Sequence, residues 1–125
     1  MKNPKPSEQI EDFLNWIEAS VAEYEEAYAI AGEEDKKVQD FLHAMEFADI
    51  KQERNRVATK LHQSRKRRRA AKDKVLELEK IYAFYKDQSN RPILKKLKGI
   101  IQNQKKTEEY LESERTYKPR VSDDT

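Results

Sequence analysis

Residues 47–85 read FADIKQERNRVATKLHQSRKRRRAAKDKVLELEKIYAFY. Phe47, Ile50, Arg54, Val57, Leu61, Ser64, Arg68, Ala71, Val75, Leu78, Tyr82 and Tyr85 recur at alternating steps of three and four, and nine of these twelve are apolar. Such steps put side chains on one face of an α-helix, and their persistence over five heptads marks the seam of a coiled coil or helical bundle. Neither Gly nor Pro occurs between Glu33 and Arg91 to stop the helix. The chain is therefore read as all-α, organised on one long central helix.

Toward the N-terminus, Val38, Phe41, Leu42 and Met45 lie on a somewhat rotated face, so the helix changes partner or bends near Glu46 to Asp49. Further back, Ile10, Leu14, Ile17, Val21, Tyr24, Tyr28 and Ala31, widened by Phe13, form a second amphipathic stripe. Ser7 can cap that helix, and Glu8, Glu11 and Asp12 suit the positive end of its dipole. Gly32 follows the last stripe residue, where a C-cap favours glycine, which predicts a helix boundary there. Beyond the seam, DQSNR at 87–91 supplies turn residues and Pro92 suits the first turn of a third helix. Ile93, Leu94, Leu97, Ile100, Ile101, Gln104 and Leu111 form its stripe, with Gly99 expected to allow close approach to a neighbouring helix.

The predicted organisation is a flexible arm over 1–6, a single all-helical domain over 7–115 and a disordered tail over 116–125. Helices are expected at 7–31, 34–86 and 92–115, folded as elongated antiparallel hairpins or a coiled coil sharing the central helix. Layers of two helices bury little apolar area, which predicts a homodimer or a protein partner that completes each layer.

Charge is distributed in blocks. Residues 1–35 hold ten acidic and two basic side chains, 36–107 hold 21 basic and eight acidic, and 108–125 hold six acidic and three basic. The chain is thus a basic middle between acidic ends. The absence of cysteine excludes disulfides and thiolate metal sites. The longest uncharged run, Ala27 to Gly32, is far too short to span a bilayer, and MKNPKPSEQ lacks a signal core. No membrane association and a cytoplasmic location are expected.

The basic stretch carries the sharpest functional expectation. Lys60, Arg65, Lys66, Arg67, Arg68, Arg69, Lys72 and Lys74 could meet a nucleic acid or an acidic protein, with Lys51, Arg54 and Arg56 extending the footprint. Five adjacent residues span more than one turn, however, so they cannot all face one ligand. With the third helix folded back on the central one, Glu108, Glu109, Glu112 and Glu114 are expected to neutralise part of the run. Arg54, Ser64 and Arg68 at seam positions either set register or open a polar pocket, or the two arginines extend outward along their stems. The acidic first helix (Glu8, Glu11, Asp12, Glu18, Glu23, Glu25 and Glu26) could mimic a phosphate backbone, form a solvated face, or answer the basic centre of a second subunit.

Catalysis finds little footing. His43 and His62 are nineteen residues apart, and neither has the glutamate three positions earlier that carboxylate-bridged metal bundles use. Two glycines cannot build a phosphate loop. Trp16, Phe13, Tyr24 and Tyr28 sit at packing positions. No enzymatic activity, cofactor or metal is expected.

KLHQSRKRRRAAKDKVLELEKIYAFY and LKKLKGIIQNQKKTEEYLESERTYKPRV, within 41–121, resemble small, charged, helical proteins encoded by phages and prophages of Gram-positive bacteria. The Arg/Lys block, Ala71-Lys72-Asp73 and Tyr117-Lys118-Pro119-Arg120 carry the resemblance. It implies a setting, the host cytoplasm, and a protein that binds and modulates a host or phage macromolecule such as a defence or replication factor. A DNA- or RNA-binding protein using the basic central helix is the alternative.

Overall fold

The computed structural model describes residues 3–114. The expected tail at 116–125 lies outside them, as do Met1 and Lys2 of the expected arm. The described residues are all-α: α1 at Pro6–Glu46, α2 at Lys51–Lys86 and α3 at Arg91–Glu112, with a 3-10 turn at Gln88–Asn90 before α3. They fall into two compact units, Leu14–Arg91 in one and the described residues 3–13 and 92–114 in the other.

The helix boundary expected at Gly32 is not there. α1 runs through it, and the chain reverses at residues 47–50 instead. The apolar stripe explains why. Leu14, Ile17, Val21, Ala27 and Ala31 are buried, and the same face continues through Glu34 to the half-buried Val38, Phe41 and Met45 and the buried Ala48. Burial of that face outweighs the ~1 kcal/mol that glycine costs inside a helix. Lys37 also pairs with Glu33 and with Glu34, each at 3.6 Å, across the turn after Gly32. The reversal coincides with the rotated face that the sequence shows near Glu46 to Asp49. There the amide N–H groups of Phe47 and Ala48 donate three residues back, to Ala44 and Met45, tightening the last turn of α1.

In the unit Leu14–Arg91, α1 and α2 form an antiparallel hairpin, with Ser64 bonded to Glu34 about midway along it and Lys86 paired with Glu25 near the end away from the turn. The seam read from sequence holds along α2: Val57, Leu61, Ser64, Arg68, Ala71, Val75, Leu78, Tyr82 and Tyr85 are all buried or half-buried. It fails at Phe47 and Ile50, where a turn rather than a helix occupies 47–50, and at Arg54, which is exposed in the first turn of α2. The DQSNR turn forms as expected. The Asp87 carboxylate accepts from the Ser89 N–H at 3.0 Å and the Ser89 hydroxyl at 2.8 Å, and Asn90 Nδ2 donates to the Phe84 carbonyl.

In the other unit, the end of α3 lies beside the start of α1. Pro6 opens α1, Glu8 accepts from the Lys5 N–H at 3.2 Å, and Lys5 is tied to Glu112 at 2.7 Å, so this part of the expected arm is held. Ser7 is buried, and the cap comes from another helix. Glu108 accepts from the Ser7 N–H at 3.0 Å and from its hydroxyl at 2.5 Å. A carboxylate there satisfies an orphan N–H at the positive end of the α1 dipole. Gly99 approaches nothing closely: a Cβ added to it would meet no atom within 4 Å.

Candidate interaction site

The five-cation run lies on α2 within the hairpin, and its neutralising carboxylates come from α1. Glu34 is 4% exposed and Ser64 fully buried, and the serine hydroxyl donates to Glu34 Oε2 at 2.5 Å. Arg67 Nε donates to the other oxygen of Glu34 at 3.0 Å. One residue on, Asp35 accepts from Arg68 Nε, with Lys72 Nζ at 3.9 Å. The Ser64 hydroxyl, followed by Arg67, holds the Glu34 carboxyl below its ordinary range against the opposing effect of burial. The Arg68 hydrogen bond does the same for Asp35. Of the seam residues singled out from sequence, Ser64 and Arg68 thus join a polar cluster across the hairpin, whereas Arg54 is exposed.

The neutralisers expected on α3 have other partners. Glu108 bonds Ser7 and Glu112 pairs with Lys5, while Glu109 and Glu114 are exposed. The physical reason is chain direction. α3 runs antiparallel to the start of α1, which brings its acidic end to that helix's N-terminal N–H groups and to Lys5. Glu34 and Asp35 escaped notice because the Gly32 boundary put them in a first turn, where acid is ordinary. Counting the steps of three and four on through Gly32, from Ala31 to Glu34 to Val38, finds Glu34, with Asp35 the next residue.

The remaining cations are disposed around α2. Lys60, Arg65, Lys66 and Arg69 are exposed and pair with no carboxylate among the described residues, as are Lys51, Arg54 and Arg56. Lys74 pairs with Glu77 on its own helix at 3.5 Å. Helical spacing carries Lys51, Arg54, Arg65, Arg69 and Lys72 along one side, and Arg56, Lys60, Arg67 and Lys74 along the opposite flank of the seam. Beside them stands α1, whose part of the hairpin (14–46) has nine acidic and two basic residues against thirteen basic and four acidic in α2. The hairpin therefore presents one acidic and one basic helix.

An apolar groove that sequence reasoning missed runs along one side. It has a volume of about 470 Å³ and lies between the rims Tyr28 and Leu76, each 65% exposed, over a floor that includes Ala31, Gly32 and Val75. Next to it, Tyr24 stacks on Tyr82 with centroids 4.1 Å apart and lies 6.1 Å from Tyr28. Tyr28 and Leu76 sit just off the two seams, so a stripe count alone absorbs the first into the core and passes over the second.

Both histidines are exposed; His43 lies edge-on to Phe47 and 3.9 Å from Glu46. Among the described residues no group of three or more His, Asp or Glu side chains is placed to hold a metal. No helix among them is long and apolar enough to cross a membrane. Comparison with protein-family models, curated proteins and solved structures returns no match.

Proposed function

We propose that the chain is a non-enzymatic interaction protein that binds and modulates a macromolecular partner, a protein, through the charged surfaces of the α1/α2 hairpin. The observation that carries this reading is the segregation of charge by helix, acidic on α1 and basic on α2. A protein surface can answer both signs, whereas a polyanion laid on α2 meets α1 carboxylates along its edge. The resemblance to small phage proteins supports a phage setting and a host or phage factor as partner. Capture from a host lysate with the intact chain, repeated with Arg65, Lys66 and Arg69 changed to glutamine, tests it. One protein retained by the first bait and lost with the second is the expected result; equal recovery by both baits removes the cationic face from the reading.

A specific observation favours nucleic acid as a second reading. Arg65, Lys66, Arg69 and Lys60 stay exposed and unpaired by any described carboxylate. A mobility-shift titration against salt decides it. Binding through these residues loses affinity steeply as salt rises and is reduced by their neutralisation; no shift at low salt eliminates it.

A further inference from the structure

We propose that a second copy of this chain docks on the Tyr28–Leu76 face of the hairpin, about a two-fold axis parallel to α1 and α2. The face has the form of half a bundle interface. Two large apolar rims stand over Ala31, Gly32 and Val75, with Asp35 and Lys72 also lining the groove, and a Cβ built on Gly32 would meet nothing within 4 Å, so the floor is open to a side chain from outside. The hairpin also needs another layer: among the described residues, four of its nine buried apolar residues are alanines. Pairing two hairpins face to face makes a four-helix layer with a seam on both sides of each helix.

Charge selects the occupant and the axis. With the axis parallel to the helices, acidic α1 of each copy lies antiparallel on basic α2 of the other. Tyr28 then meets the partner's Leu76, and Asp35 comes level with the partner's Lys72. An axis perpendicular to the helices would lay acid on acid and base on base, which repulsion opposes. A ligand of one sign leaves one helix unanswered, whereas a second hairpin answers both and closes the assembly at two copies. Arg65 and Arg69 lie on the same side of α2 as Lys72 but outside the groove's lining, so the inference is tested by changing Tyr28 and Leu76 with those cations left in place.

The chain has no cysteine, so introduced thiols report on the face without background. Chains carrying Tyr28→Cys and Leu76→Cys are mixed, allowed to exchange and oxidised. The expected product is a disulfide-linked heterodimer, formed in far greater yield than dimers of either variant alone. Comparable cross-linking within each single variant would overturn the axis. Sedimentation equilibrium of the unaltered chain should show a dimer at about 100 μM, and Tyr28→Glu with Leu76→Glu should weaken it about 30-fold or more with helical content unchanged. A monomer at that concentration overturns the proposal, and a dimer that survives both substitutions overturns the face.

Discussion

Ser7 and Ser64 each donate a hydroxyl to a glutamate at 2.5 Å, one at a helix end and the other in mid-seam. At the helix end, Glu108 is half-buried and also takes the Ser7 N–H, a group that needs a partner at any helix start. In the seam, Ser64 is wholly covered and Glu34 nearly so. The same two groups thus do different work. The first pair finishes a helix and, although Ser7 is buried, its half-buried carboxylate reaches solvent. The second puts a polar contact where only apolar groups would otherwise fit, and so fixes which residues of α1 and α2 stand opposite each other.

The largest expected effect follows from removing the acceptor in the seam. Glu34→Ala leaves the Ser64 hydroxyl without its carboxylate and Arg67 without its anchor, and should lower unfolding free energy by about 2 kcal/mol in urea titration. Adding Ser64→Ala should recover much of that loss, because a missing pair costs less than half of one. Losses that simply add would show that the hydroxyl does not depend on Glu34, and the contrast between the two pairs would collapse.

Acid probes the same pair more gently. The Ser64 hydroxyl and Arg67 hold the Glu34 carboxyl below its ordinary value of 4.5 in the folded chain. A carboxyl lowered on folding stabilises in full above that ordinary value, and the contribution disappears as pH falls through the lowered one. The urea midpoint should therefore drop once the pH goes below about 4.5. Glu34→Gln should flatten this dependence without abolishing it, since Ser7 lowers the Glu108 carboxyl in the same direction. An acid response unchanged by Glu34→Gln would place it in other carboxyls.

How far these features were legible depended on which signals compete locally. The α2 seam from Val57 to Tyr85 could be read because its apolar steps dominate every turn, and the DQSNR turn because Asp87, Ser89 and Asn90 act on neighbours within six residues. Gly32 misled because a local cap preference was weighed against a stripe whose next member, Glu34, is charged. The nearby Lys37 and, more closely, the distant Ser64 and Arg67 make a glutamate acceptable at that position, and a stripe count does not see the distant pair. The direction of α3 was hidden for a similar reason. Glu108 to Glu114 match a basic run by charge, but a helix start offers N–H groups and Lys5 as an equally good answer, and charge alone does not choose between them.

The smallest effect is expected at the helix end. Ser7→Ala removes one hydroxyl but leaves the Ser7 N–H bonded to Glu108, and the Lys5–Glu112 and Lys105–Glu11 pairs at 2.7 Å and 3.0 Å still join the two segments. The half-buried carboxylate can turn to water for the bond it loses. Amide exchange should accelerate in the first turns of α1 and the last turns of α3, while the urea midpoint moves less than with Glu34→Ala. If the two substitutions lower that midpoint equally, the terminal pair is as indispensable as the seam pair. Position along the helix would then not decide what a serine–glutamate contact contributes.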